Sequence, residues 1–144
     1  MFSKKCEYAI RALIFIARKS KEDLKVGIKE IAKSIDAPEQ FIAKILHELT
    51  RHNLVQSFKG PTGGFYLDKK SFNKSLAAVV KAIDGDKLFT GCALGLSSCS
   101  EKKPCPIHNE FKKIRINIYD LLQASKLGDL QEQLEKKMAW LTQR

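Results

Sequence analysis

The sequence has no apolar run approaching the ~20 residues that a membrane-spanning helix needs. Its nearest candidate, Tyr8 to Ala17 behind Lys4 and Lys5, is broken by Arg11 and lacks a small-residue cleavage site, which argues against a secretory signal. A cytoplasmic, reducing location is therefore expected, where thiols stay free to bind metal. There is no Cys-x-x-Cys pair, no glycine-rich phosphate loop after a strand and no pair of carboxylates set for a pocket. These absences weigh against a redox enzyme or a cluster carrier, and no small-molecule substrate is expected. Internal repeats and long linkers are also missing.

At 144 residues and 44% hydrophobic, the chain suits one domain, or a small domain with an appendage, that folds around its own core. Its formal charge of +10 is uneven. Residues 1–75 carry 15 Lys and Arg against 8 Asp and Glu, whereas residues 76–144 carry 11 against 8. An N-terminal excess of this kind favours a polyanion, because cations that neutralise phosphates release bound counterions.

Three of the four cysteines, Cys92, Cys99 and Cys105, fall within fourteen positions, and His108 follows three residues later. The stretch Gly91 to His108 also holds Gly95, Ser97, Ser98, Ser100 and Pro104, with no apolar period for a helix or strand. Such a loop needs something to hold it. In a reducing compartment that is a metal centre more often than a disulfide. The remaining cysteine, Cys6, reads as a lone buried residue.

Ser3 to Lys19 reads as a helix with Tyr8, Ala9, Ala12, Leu13, Phe15 and Ile16 on one apolar stripe. Lys25-Val26-Gly27 breaks the chain. A short helix over Ile28–Ile35 and a second from Pro38 to about His52 follow, joined by Asp36-Ala37-Pro38 with Asp36 able to cap. Phe41, Ile42, Ile45, Leu46 and Leu49 are predicted inward, leaving Gln40, Ala43, Lys44, His47 and Arg51 outward, with Asn53 as a left-handed stop. This is a helix-turn-helix pattern. Leu54 to Phe58 and Phe65 to Leu67 are strands around the turn-rich Lys59-Gly60-Pro61-Thr62-Gly63-Gly64. A hairpin behind a helix-turn-helix is a winged helix, whose recognition helix enters the major groove while the wing, with Lys59 at its base, meets the flanking DNA.

Ser75 is placed to cap a helix through Leu76, Val79, Val80 and Ile83 that ends at Asp84-Gly85. From about Asn109 a long helix carries Phe111, Ile114, Ile118, Leu121 and Leu122 on one side and Lys112, Lys113 and Asp120 on the other. That stripe needs a partner surface, and a twofold copy of itself would let a small head read two half-sites. Leu130, Leu134, Met138 and Leu141 mark a final amphipathic helix. The fold class is thus mainly α with a small β-hairpin wing. Residues 1–85 form a winged helix-turn-helix domain, 86–108 a cysteine-rich loop, and 109–144 a dimerisation helix with a C-terminal helix.

The element order, the wing motif KGPTGG and the spacing Cys92-x6-Cys99-x5-Cys105-x2-His108 resemble the IscR/NsrR family of winged-helix transcription regulators. Tyr8-Ala9, Leu54-Val55 and Leu127-Gly128-Asp129-Leu130 match as well, and the likeness spans roughly residues 2–132. The resemblance implies a homodimer on double-stranded promoter DNA, with an iron–sulfur cluster held by Cys92, Cys99 and Cys105. Thiolates suit that role as soft, anionic donors. A 2Fe–2S cluster is favoured, with 4Fe–4S the other option. One branch of the family takes its fourth ligand from a histidine, which matches His108. The other uses an acid from helix one of the partner subunit, which matches Glu7. His108 is preferred.

DNA contacts are expected from Gln40, Lys44, His47 and Arg51 on the recognition helix and from Lys59, Gly60 and Thr62 on the wing. Gln40 can pair bidentately with adenine, and Lys44 can reach guanine. The sequence departs from the family at two points. Its first cysteine gap is six residues where the branches with a 2Fe–2S centre usually have five, and Ala43 stands where the IscR branch carries an operator-discriminating acid. A structural Cys3His zinc site is the competing reading of the loop, although zinc knuckles usually bring cysteines in Cys-x-x-Cys pairs.

Overall fold

The structure, a computed structural model, describes residues 1–137 and Leu141. Helix α1 (Lys4–Lys21) starts where the Ser3 hydroxyl accepts from the Cys6 N–H at 3.0 Å, a cap worth about 1 kcal/mol. Ala9, Ala12, Leu13, Ile16 and Ala17 lie on its buried face. Helices α2 (Ile28–Ser34) and α3 (Glu39–Arg51) pack against α1 and each other, and Ile31, Ile42, Ile45, Leu46 and Leu49 complete one core. Between α2 and α3 the chain turns through a left-handed Asp36 (φ 52°), and Pro38 takes the cap position. Asp36 therefore serves the turn and not the cap. Asn53 (φ 58°) ends α3 as its side chain suggests.

Phe41 corrects the inward reading of α3. It is exposed, and its ring meets Tyr8 of α1 edge-to-face at 5.6 Å. At that place the helix borders α1 with an aromatic edge, so one large side chain satisfies both packing and solvent.

The wing is an antiparallel pair, β1 (Gln56–Phe58) and β2 (Gly64–Tyr66), with Ser57 opposite Phe65. Leu54, Val55 and Leu67, expected as strand residues, lie just outside the ladder and are buried in the core. Val26, in the stretch read as a plain break, adds a third edge by exchanging both backbone bonds with Phe65, at 2.7 and 3.0 Å. That bridge explains Gly64. Its φ is 147°, and a Cβ there would lie 2.8 Å from the Val26 carbonyl oxygen. Gly64→Ala should therefore destabilise the protein by roughly 1–3 kcal/mol, seen as a lower melting temperature. An unchanged melting temperature would show that the wing does not depend on the Val26 bridge.

After α4 (Lys69–Phe72), a single turn absent from the sequence reading, Ser75 caps α5 (Leu76–Asp84) by accepting from the Ala78 N–H at 3.1 Å. A second short helix, α6 (Lys87–Thr90), leads into the cysteine loop, and α7 (His108–Ala124) leaves it. A smaller core of Cys6, Ala77, Val80 and Leu122 joins α1, α5 and α7. Finally α8 (Leu127–Glu135) returns to α1 and seats Leu127 in the core of the head. Leu130 and Leu134 fall in α8; Leu141, expected on the same helix, lies beyond its end and is exposed, and Met138 lies outside the described residues. Among the described residues, no helix is long and apolar enough to cross a membrane.

Candidate metal centre and nucleic-acid interface

Two supports hold the cysteine loop in place. At its entry, Gly91 follows α6 so closely that a Cβ would sit 2.5 Å from the Lys87 carbonyl oxygen. The Arg115 guanidinium of α7 donates to the Gly91 carbonyl, and to the Thr90 carbonyl at 3.4 Å. Phe89 and Tyr119 meet edge-to-face at 5.2 Å beneath it, with the Lys81 ammonium 5.4 Å from the Tyr119 ring. At its exit, His108 is the first residue of α7, one position earlier than the sequence reading began that helix. Its ring is buried.

Between these supports the sulfurs of Cys92, Cys99 and Cys105 lie within 4.8 Å of one another. Cys92 and Cys105 approach to 3.7 Å, and His108 Nδ1 lies 3.1 Å from Cys99 Sγ. The backbone N–H groups of Leu96 and then Leu94 stabilise the Cys92 thiolate and bring its pKa down to about 7. At Cys99 the Cys105 N–H also favours the thiolate, but burial and the two neighbouring sulfurs outweigh it and raise the pKa. Three clustered sulfurs cannot all ionise without a cation to offset their charge, while backbone N–H groups already point at two of them, Cys92 and Cys99. That donor set suits a thiophilic metal or an iron–sulfur cluster. Glu101 stands beside it. Lys112 at 2.5 Å, and then His108, hold its carboxyl below the usual range.

Glu7 sits exposed on α1 with Lys4 3.7 Å away, and Cys6 beside it points into the second core. Burial, followed by the nearby Asp84 charge, pushes the Cys6 thiol up to about 12, so it has the character of an inert core residue.

The recognition-helix candidates share one surface. Gln40, Lys44, His47 and Arg51, spaced by four, three and four residues, are all exposed along α3, with Ala43 half-buried beside them. Lys59, expected at the base of the wing, instead follows β1 directly and lies with Gly60 and Thr62 in the exposed turn between β1 and β2. Phe58, 53% exposed, and Tyr66 flank the Lys25 ammonium at 5.3 and 5.4 Å, which keeps that cation on the same side of the hairpin.

The Rrf2 profile, described as an iron-dependent transcriptional regulator, matches residues 2–133. The chain belongs to the Rrf2 family. A candidate helix-turn-helix transcriptional regulator of Aquifex aeolicus is 32% identical over 132 residues, covering 90% of each chain. The regulator NsrR of Oceanobacillus iheyensis is 28% identical, over 94% of this chain and 92% of its own. The solved structure of IscR from T. potens superposes with a TM-score of 0.73 at 19% identity, covering 99% of this chain and 93% of that one. The family and these two sequence relatives are described as transcriptional regulators, so the IscR/NsrR resemblance stands, and the solved structure bears out the winged-helix fold. This Rrf2 protein is a transcriptional regulator, and DNA binding comes with that role.

Side chains that the sequence reading missed are Glu101 and Arg115. Neither belongs to a motif. Each gains its place only because α7 folds back along the loop.

Proposed function

We propose that this Rrf2 protein is a homodimeric regulator whose grip on promoter DNA is set by an iron–sulfur cluster on Cys92, Cys99, Cys105 and His108. The observation that carries the reading is the convergence of the three sulfurs within 4.8 Å, with His108 Nδ1 3.1 Å from Cys99. We assign the fourth place to His108 and not to Glu7 of a partner subunit, because His108 is buried against the trio within its own chain. A 2Fe–2S cluster is the assigned type, with 4Fe–4S the other outcome of a spectroscopic test. When bound, such a cluster supplies a cross-link that oxidation or nitric oxide can break.

The protein's own residues translate that link. His108 is at once a donor and the first residue of α7, so holding it fixes the start of that helix. Arg115, two turns later, holds the opposite end of the same loop. From its cap onward, α7 carries Ile107, Ile114 and Leu121 at every seventh residue, 41%, 50% and 64% exposed. An apolar stripe with that period is a seam for a second copy. Ile118 and Leu122, expected on the partner-facing stripe, instead pack with Tyr119 against α5 in the second core, so the position of α7 sets the distance between two heads. Loss of the cross-link would free the loop and shift that distance.

On DNA, α3 would lie in the major groove with Gln40 and Lys44 at base edges and His47 and Arg51 towards the backbone, while Lys59, Gly60 and Thr62 follow the flank. The test uses a duplex selected from a random pool and fluorescence anisotropy. Gln40→Ala and Lys44→Ala are each expected to weaken the selected site by about 1–3 kcal/mol and relax its sequence preference. Lys59→Ala should weaken all duplexes alike and flatten the salt dependence by about one counterion. Unchanged affinity in both α3 variants would overturn the assignment of the recognition face.

A further inference from the structure

His108 offers its Nδ1 to the cysteine group, which leaves Nε2 facing away from the sulfurs. That nitrogen is buried, with only 8% of the residue exposed, and has no hydrogen-bond partner of its own. The nearest charged group is Glu101, whose Oε1 lies 3.4 Å away, within ion-pair range but outside hydrogen-bond geometry. The same oxygen accepts from the Lys112 ammonium at 2.5 Å. Glu101 is placed by a tight turn in which Ser100 and Lys103 exchange backbone bonds, both at 3.1 Å. A surface ion pair between Glu101 and Lys112 alone would contribute little. Its value lies in what the carboxylate reaches.

We propose that Glu101 is a positioning residue for the metal centre: it receives the His108 Nε2–H and so keeps the Nδ1 lone pair turned to the three sulfurs. The inference rests on the cluster reading above, since it concerns the donor that His108 presents. The Glu101 Oε1 already lies 3.4 Å from Nε2, so the proposed bond needs a change of orientation and not of place. In the neutral ring, one nitrogen carries the proton and the other the lone pair, so an acceptor at Nε2 decides which face can ligate. Histidine ligands characteristically donate their second N–H to a carboxylate, which fixes ring orientation and raises basicity. Lys112 then has a separate task. By holding Glu101 from the first turns of α7, it ties the orientation of the ligand to the helix that carries the dimer stripe.

The experiment has two arms. In metal-free, reduced protein, NMR should detect a protected Nε2–H proton on His108 in the wild type and in Glu101→Gln, whose amide oxygen still accepts. The signal should be lost to exchange in Glu101→Ala. In protein reconstituted without oxygen from ferrous iron and sulfide, loss of visible absorbance to EDTA should be roughly tenfold to a hundredfold faster in Glu101→Ala than in wild type. In a His108→Ala background, Glu101→Ala should add nothing further. A Glu101→Ala protein that matches wild type in both arms overturns the proposal. So does one whose faster cluster loss persists in full without His108, because that would mark general loosening of the loop. A wild type that takes up no iron sinks the cluster reading instead, and the proton signal of the metal-free protein still judges Glu101.

Discussion

Cys92→Ala, Cys99→Ala and Cys105→Ala combined should give a protein that stays colourless after anaerobic reconstitution and whose affinity for its promoter no longer responds to air or nitric oxide. In the wild type that response should amount to about 5–150-fold, the usual span of coupling between two sites. In the variant it should collapse to about onefold, because coupling requires a ligand that distinguishes two states. Folding should survive. None of the three side chains belongs to either core, and all three are partly open to solvent. The melting temperature of the metal-free variant should therefore match that of the metal-free wild type. Cys6→Ala is the control, since Cys6 sits in the second core away from the loop and should leave both colour and response in place. Promoter binding that kept its full response in the triple variant would show that regulation runs through some other part of the chain.

Ile114→Glu with Leu121→Glu is the second large effect. Both residues are at least half exposed in the protomer, so the charges cost the fold little there. Across a twofold seam they would bring acids against acids in place of an apolar contact. A monomer is expected by sedimentation or light scattering. Affinity for a two-half-site operator should then fall by roughly 10²–10⁴, the gain that linkage of two heads normally provides. Binding to a single half-site should be nearly unchanged, because α3 and the wing lie elsewhere. A dimer that persisted would move the seam to another surface.

Much of this architecture was legible in the residues because it rests on local rules. The α1 stripe, the Ser75 cap, the left-handed Asn53 and the glycine-rich wing follow from periodicity and turn chemistry, and the structure has each of them. The cysteine spacing announced a donor cluster, and the three sulfurs do come together. What stayed hidden is what depends on approach between distant segments. Val26 looked like a breaker because nothing local reveals that Phe65 will pair with it. Phe41 looked like core because the helical period cannot tell a buried face from one bordering Tyr8. The single-turn helices α4 and α6 are too short to show a period. Glu101 and Arg115 read as ordinary surface charges until α7 lies beside the loop and gives each a partner.

The most direct test of the central claim is the Mössbauer and optical spectrum of protein isolated without oxygen, with iron and acid-labile sulfide assayed on the same sample. The account predicts iron and sulfide in equal amounts, visible charge-transfer bands, and iron sites of unequal ligation, one of them bearing nitrogen from His108. Stoichiometric zinc with neither iron nor sulfide would contradict it and leave the three cysteines as a structural clasp.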